Sequence, residues 1–192
     1  MFQTLYRKCL DLASHKSSNF YLGLVSFIES SFFPIPPDIL LIPIIIARPK
    51  NAFLIATIAT FASVLGGGLG YYIGLKFYEL IGSAIVAFYH AEELFKEFQV
   101  QFNQYGTIAV LIAGITPFPY KIITISSGIA ELPFLQFLIY SIIARGTRFY
   151  VIALLLRLYG DKIRGFIEKH LNLVFALFVV LLVGGFVLIT VL

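Results

Sequence analysis

The sequence predicts an all-α integral membrane protein with two inverted repeats, each a re-entrant, broken helical hairpin plus a transmembrane helix. A further C-terminal transmembrane helix and amphipathic interfacial helices complete this predicted fold. Three observations support it: the composition, apolar stretches of bilayer length, and two apolar stretches broken by proline. Of 192 residues, 59% are apolar and 12% charged, against roughly 45–50% and about 25% in soluble domains. This composition excludes a soluble enzyme, a disordered chain and a disulfide scaffold.

The first element, residues 1–19, is predicted to be an amphipathic helix on the membrane surface. Apolar residues recur there at helical spacing, among basic residues such as Arg7 and Lys8. The segment lacks the short apolar core and small-residue cleavage site of a signal peptide. The single cysteine, Cys9, allows no internal disulfide.

Three stretches have the length and apolar composition of a membrane span, which needs about 20 residues. Residues 51–75 and 171–192 carry no charge, and residues 132–159 are apolar apart from Arg145, Arg148 and Arg157. We therefore expect one span in each repeat and a third at the C-terminus.

Two further apolar stretches, 20–47 and 103–130, are interrupted by proline-rich, charged centres. Proline removes a backbone donor and clashes with the preceding turn, so each helix must break there. The arms of roughly ten residues are too short to cross a bilayer and favour re-entrant segments buried in protein or lining a wet cavity. The prolines expected to break the helices are Pro34, Pro36, Pro37, Pro117 and Pro119.

The distribution of basic residues predicts that the N-terminus is cytoplasmic. If both broken stretches re-enter, one side of the membrane holds nine basic residues and the other only Lys76 and Lys96, with five glutamates. The nine are Arg7, Lys8, Lys16, Arg48, Lys50, Arg157, Lys162, Arg164 and Lys169. If both stretches crossed fully, this asymmetry would weaken.

The two broken stretches also resemble each other. Pro34-x-Pro36-x-Asp38 matches Pro117-x-Pro119-x-Lys121 at an offset of 83 residues, and the re-entrant topology would make the two copies inverted, as in many secondary transporters. We expect repeat 1 at about 20–78, an interfacial linker helix at about 79–104 and repeat 2 at about 105–160. A connector and the last span would occupy 161–192.

Five charged residues are expected at membrane depth: Glu29, Asp38, Lys121, Arg145 and Arg148. Each would cost about 2.5–3.5 kcal/mol unpaired at the bilayer centre, so we expect a shared polar site. Three positive charges against two negative favour an anionic ligand such as a phosphate. A buried carboxylate can also bind and release a proton. The alternative is structural, with the arginines only neutralising the carboxylates between the repeats.

Other motifs favour packing rather than chemistry. Gly66, Gly70 and Gly74 recur every four residues, the small-residue pattern that lets membrane helices approach closely. No P-loop, no nucleophile with a nearby base and no metal-ligand spacing is present, so we predict neither an enzyme nor a cofactor nor a metal, and no nucleic-acid partner.

Three segments together carry a resemblance to a known family. They are Glu29-Ser30-Ser31 followed by Pro34-Ile35-Pro36-Pro37-Asp38, the glycines 66–70 running into Tyr71-Tyr72-Ile73-Gly74, and Thr116-Pro117-Phe118-Pro119-Tyr120-Lys121 leading to Ser127-Gly128. Over about residues 20–160 the sequence resembles the DedA family, whose shared region is also called the VTT or SNARE-associated domain. The run Arg145-Gly146-Thr147-Arg148-Phe149 looks like the YqaA-like branch of that family.

The resemblance implies a bacterial inner-membrane protein of two inverted re-entrant hairpins that transports lipid. Family members are proposed flippases for undecaprenyl phosphate or phospholipids, and scramblases in eukaryotes. The family's acidic pair, thought to bind protons or cations, would correspond to Glu29 and Asp38. Its second motif usually carries two arginines around a proline, where this sequence has Gly114 and Lys121.

We therefore expect a transporter that moves a phosphate-bearing lipid, with a phospholipid or polyprenyl phosphate headgroup as partner and protons or sodium as coupling ions. Two alternatives stay open: a proton- or sodium-coupled exporter of a small solute, and a membrane assembly factor that transports nothing. The sequence leaves open which lipid is moved, in which direction it is moved, and whether the chain forms a homo-oligomer.

Overall fold

The computed structural model describes residues 17–32, 36–116 and 118–160, and these ranges contain helices, turns and no β-strand. The predicted surface helix of residues 1–19 lies almost entirely outside them, and the predicted C-terminal span of 171–192 lies wholly outside. The helices are α1 (Ser18–Ser31), α2 (Asp38–Ala47), α3 (Ala52–Phe77), α4 (Ser83–Phe88), α5 (Glu92–Ile115), α6 (Tyr120–Ile129) and α7 (Phe134–Gly160). The all-α class is confirmed for the described residues.

Among the described residues, two helices are long and apolar enough to cross a membrane. A 3-10 turn at Pro49–Asn51 leads into α3, and a π-helical turn at Tyr78–Gly82 joins α3 to α4, so Pro49–Phe88 is one continuous helix of 40 residues. The second is α7, with 27 residues. Only 28% of its most apolar 18-residue stretch is buried inside the protein. A core helix of a soluble protein would bury most of such a stretch, whereas apolar side chains directed outward suit a lipid environment.

Helices α1 and α2 form a hairpin, hairpin 1, that folds back on itself at the predicted break. Helix α1 ends at Ser31, and Pro37 is the N-terminal cap of α2. Arg48, directly after α2, donates hydrogen bonds from Nη2 to Ser18 Oγ and, at 2.9 Å, to Asn19 Oδ1. The two ends of hairpin 1 therefore lie side by side.

The end of α5 and helix α6 form hairpin 2. At the break, Thr116 is extended (φ −81°, ψ 169°) and Pro119 precedes the first residue of α6. Asn103 Nδ2 donates to the carbonyl oxygen of Ala130 at 3.0 Å, so α6 returns to the level of Asn103. The segment predicted as a linker helix, about 79–104, is shared between the end of the 40-residue helix and the start of α5.

Helix α3 is the common support of both hairpins. A Cβ atom at Gly66 would overlap the carbonyl oxygen of Phe27 in hairpin 1, and one at Gly74 would overlap that of Ile125 in hairpin 2. Between them, Gly70 faces both Ser30 and Thr124. Hairpin 1 thus packs nearer the N-terminal end of α3, where Gly23 also faces Ile58 and Ala62, and hairpin 2 packs nearer the C-terminal end. Only glycine permits backbones to approach as closely as they do at Gly66 and Gly74.

The breaks of the two hairpins meet beside the middle of α3, and α7 runs antiparallel to α3 past both of them. Thr124 Oγ1 of hairpin 2 donates to the carbonyl oxygen of Ser30 in hairpin 1 at 3.2 Å. Tyr71 OH donates to the Leu132 carbonyl at 2.8 Å near one end of α7, while Thr57 and Tyr150 share a 2.7 Å hydrogen bond nearer the other. The middle of α7 therefore lies against the meeting point.

Candidate functional site

The five charged residues predicted at membrane depth all lie near the two breaks. Glu29 is in the last turn of α1 and Asp38 is the first residue of α2, on either side of the break in hairpin 1. Lys121 is the second residue of α6, directly after the break in hairpin 2. Arg145 and Arg148 lie one turn apart near the middle of α7, so their side chains share a face.

Arg145 is held at the centre of the protein by an ion pair with hairpin 1. Its Nη2 donates to Glu29 Oε2 at 3.2 Å, and its Nε donates to Ser63 Oγ of α3 at 2.6 Å. The side chains of Arg145 and Glu29 are only 3% and 12% exposed. The pair therefore joins α1, α3 and α7 where water is nearly absent.

Two aromatic rings surround the same guanidinium. Its carbon lies 4.9 Å from the ring centroid of Tyr120, the first residue of α6, and 4.7 Å from that of Phe149 on α7. Tyr120 OH donates to Ser141 Oγ of α7 at 2.5 Å. Cation–π attraction is strongest where the cation is desolvated, so Tyr120 ties hairpin 2 to the Arg145–Glu29 pair.

A chain of hydroxyl groups completes the surroundings of Glu29. Ser30 Oγ donates to Glu29 Oε2 at 3.1 Å and lies 2.6 Å from Ser63 Oγ. Ser63 and Tyr120 were not singled out as candidates from the sequence, because a lone serine in an apolar helix or a tyrosine after a proline carries no signal of its own. Ser30, Ser63 and Tyr120 are recognised as part of the site because all three are fully buried beside the ion pair, at 0% exposed.

Arg148 joins the breaks of both hairpins. Its Nη2 donates to Asp38 Oδ2 at 2.6 Å, and its Nη1 donates to the carbonyl oxygen of Thr116, the residue that ends α5. The side chains of Arg148 and Asp38 are 14% and 16% exposed. Two buried atoms of this pair, Arg148 Nε and Asp38 Oδ1, have no hydrogen-bond partner in the described part of the protein.

Lys121 stands apart from these two ion pairs. Its side chain is half-buried, and no carboxylate of the described residues lies within 4.0 Å of its amine. Its backbone carbonyl accepts a hydrogen bond from Thr124 Oγ1 at 2.9 Å. The structure thus brings together four of the five predicted residues. Lys121, next in sequence to Tyr120, has no ion pair with a carboxylate of the described residues.

The chemistry available at this meeting point is ionic and hydrogen-bonding. In the ranges that the structure describes, no three His, Cys, Asp or Glu side chains are grouped so that they could hold a metal ion. Two carboxylates face two guanidinium groups, a set of charges in which an incoming anion could compete with a carboxylate for a guanidinium. Such an exchange would alter the contacts between the hairpins and α7.

Residues 35–158 of the chain match the VTT domain. A protein of Haemophilus influenzae described as uncharacterized is 34% identical over 174 residues, which are 91% of this chain and 90% of that protein. A homologue from Histophilus somni is 34% identical over 174 residues, 91% of each chain. A protein of Methanocaldococcus jannaschii is 29% identical over 126 residues, 66% of this chain and 76% of that protein. No solved structure matches the chain significantly.

Proposed function

Because the chain belongs to the DedA family of VTT domain membrane proteins, we propose that it is a transporter that moves a phosphate-bearing lipid between the two leaflets. Its membrane location follows from the family and from the two apolar helices Pro49–Phe88 and Phe134–Gly160. We further propose that the protein lies in the bacterial inner membrane with its N-terminus in the cytoplasm. In the predicted topology, basic residues concentrate on the same side of the membrane as the N-terminus.

The observation that carries the proposal is the pair of ion pairs at the meeting point of the two hairpins. Glu29, Asp38, Arg145 and Arg148 lie where both helices break, and broken backbone at membrane depth is typical of transporter binding sites. With Lys121 nearby, the charges sum to +1, which favours an anionic headgroup. Arginine binds phosphate oxygens through two parallel hydrogen bonds.

Helix lengths support a re-entrant arrangement of hairpin 1. Helix α1 has 14 residues and α2 has 10, so at 1.5 Å per residue the longer arm extends about 21 Å, less than the hydrocarbon core of about 30 Å. In hairpin 2 the short arm is α6, with 10 residues, whereas α5 has 24. The ends of hairpin 1 lie together, and hairpin 2 packs nearer the C-terminal end of α3. We therefore propose that the hairpins enter from opposite sides as an inverted repeat.

The carboxylates offer a route for coupling to protons. Protonation of Asp38 or Glu29 would remove the negative partner of a guanidinium and free it for the lipid phosphate. In this proposal, a proton and the headgroup replace one ion pair together, which keeps the net charge of the meeting point low as the hairpins shift.

Purified protein in liposomes tests the proposal. Fluorescent lipids with phosphate monoester, phosphodiester and uncharged headgroups would be incorporated, and their movement measured by chemical quenching of the outer leaflet, with and without a pH gradient. We expect movement of phosphate-bearing lipids, faster with a gradient, and a loss of about tenfold or more in Arg148→Ala, in line with a lost charge-assisted interaction. The matched control is Arg157→Ala, an exposed arginine on the same helix.

A scaffold without transport activity is the second candidate, because both ion pairs are closed in the structure, as a structural link between hairpins would be. The same liposomes separate the two functions. A scaffold would leave every lipid at the rate of protein-free vesicles, which would end the transport proposal.

A further inference from the structure

We infer that Arg148, and not Arg145, is the arginine that receives the phosphate group, and that it does so by exchanging Asp38 for the phosphate. The inference rests on the proposed function for the class of ligand. The proposed function treats the two arginines alike, whereas this inference assigns Arg145 to a fixed ion pair and Arg148 to an exchangeable one.

Arg145 has the surroundings of a fixed pair. Two of its nitrogens bind side chains from two other helices, Glu29 of α1 and Ser63 of α3, and the rings of Tyr120 and Phe149 lie within 5 Å of its guanidinium carbon. Its side chain is 3% exposed. A ligand would have to displace partners on three helices to reach it, so Arg145 is a positioning residue.

Arg148 has the surroundings of an exchangeable pair. It meets Asp38 through one nitrogen and one oxygen, while Arg148 Nε and Asp38 Oδ1 are buried without partners. A buried donor without an acceptor is costly. A phosphate has oxygens enough to accept from both Nε and Nη2, the fork geometry that arginine forms with such groups. The exchange would replace one hydrogen bond with two and satisfy the orphaned donor.

The remaining contact of Arg148 suits this role. Its Nη1 donates to the carbonyl of Thr116 at the break of hairpin 2, which keeps the guanidinium in place when Asp38 leaves. The competing carboxylate is on α2 of hairpin 1, so the arrival of a phosphate would release the start of α2 from α7. The Arg145–Glu29 pair would keep α1 attached to α7, and the Thr116 contact would keep hairpin 2 attached.

Binding to the full-length protein in detergent tests the inference without requiring transport. The probes are inorganic phosphate and dihexanoyl phosphatidic acid, with dihexanoyl phosphatidylcholine as the matched amphiphile that lacks a phosphate monoester, and affinity is measured by calorimetry. Arg148→Lys keeps the charge but removes the fork, and should weaken binding by about tenfold or more. Asp38→Asn removes the competing carboxylate and should strengthen binding by a similar factor.

Three comparisons decide the outcome. Arg157→Lys, the same change at an exposed position of the same helix, should bind as the wild type does. Glu29→Gln should lower the melting temperature without raising affinity, because it disrupts the fixed pair. The inference is wrong if Arg148→Lys binds as the wild type, if Asp38→Asn gains nothing, or if Glu29→Gln gains as much as Asp38→Asn.

The two probes identify the source of the phosphate. Binding of phosphatidic acid alone assigns the site to a lipid headgroup, whereas equal binding of both probes assigns it to phosphate from either source. Failure of both probes with wild type and Asp38→Asn would overturn the inference. Liposomes in which wild type moves no lipid would instead remove the proposed function and leave this binding result standing.

Discussion

At the scale of single residues, burial decides what each charged side chain contributes. Arg145 and Glu29 bind each other where little water reaches, and their attraction offsets part of the cost of desolvating both groups. Removing one partner leaves the other charged and buried, which is more harmful than removing both. Arg157, exposed on the same helix, has no such dependence.

A double-mutant cycle measures this dependence. We expect Glu29→Leu to destabilise the folded protein by about 3–5 kcal/mol, because a buried guanidinium loses its carboxylate. Adding Arg145→Leu should recover much of the loss, since two apolar side chains then pack together. Thermal unfolding in detergent measures each variant.

Arg157→Leu serves as the reference for the cycle and should cost no more than about 1 kcal/mol, because it removes only an exposed cation–π contact with Phe53, 5.1 Å from the ring centroid. Equal destabilisation in the single and double variants would contradict a buried ion pair at this place.

The sequence predicted the charged residues of the site better than their pairing. Five ionisable groups in apolar surroundings are conspicuous because each is costly in lipid. Nothing in their spacing shows that Glu29 pairs with Arg145 across 116 residues and Asp38 with Arg148 across 110. Ser63 was missed for the same reason: its role depends on a neighbour distant in sequence.

At the scale of helices, the local chemistry of proline and glycine shapes the structure. Helix α1 ends at Ser31 and α2 begins after Pro37, and the break in hairpin 2 spans Thr116 to Pro119. Prolines stand at both breaks and disfavour a continuous helix there, although α2 accommodates Pro43 within it. Of the predicted helix-breaking residues, Pro34 and Pro117 lie outside the described residues. The 40-residue helix extends beyond the uncharged span of 51–75 that the sequence predicts, and Lys76 and Glu79 form an i,i+3 ion pair within it.

The glycines of α3 allow a test of the packing of hairpin 1. In Gly66→Ala the new methyl group would overlap the carbonyl of Phe27, so hairpin 1 must move away from α3. We expect a loss of about 1–3 kcal/mol in stability, typical of overpacking, and reduced lipid movement in liposomes.

Gly68→Ala is the matched control, two residues further along the same helix. The nearest atom to its methyl group would be Phe134 Cζ at 4.0 Å, an ordinary contact. Because alanine is the better helix former, this variant should gain up to about 1 kcal/mol. A loss in Gly68→Ala equal to that in Gly66→Ala would mean that the close approach of Phe27 to Gly66 does not explain the effect.

At the scale of the whole molecule, the contacts place the two ends of hairpin 1 at one end of α3 and the ends of hairpin 2 towards the other. Arg48 binds Ser18 and Asn19 at the first end, and Tyr71 binds Leu132 towards the second. The composition identified the membrane class and the motifs identified the family, since neither depends on tertiary contacts. The meeting of the hairpin breaks had to come from the structure.

Labelling of single cysteines tests the proposed orientation. In a Cys9→Ser background, Lys50→Cys should react with a membrane-impermeant maleimide only after the cells are permeabilised, whereas Glu93→Cys should react in intact spheroplasts. Both positions are exposed, so burial does not limit the reaction. Equal labelling from outside would contradict a topology in which these residues lie on opposite sides.

The two hydrogen bonds of Arg148, one to each hairpin, have a consequence for the leakage of ions through the protein. One guanidinium holds the carboxylate of Asp38 and the carbonyl of Thr116. Opening a passage at hairpin 1 costs the first bond and opening one at hairpin 2 costs the second, so a continuous channel through the bilayer requires both losses at once. We expect that state to be the least populated, so a transporter built in this way would preserve the ion gradients of the cell while it moves its substrate.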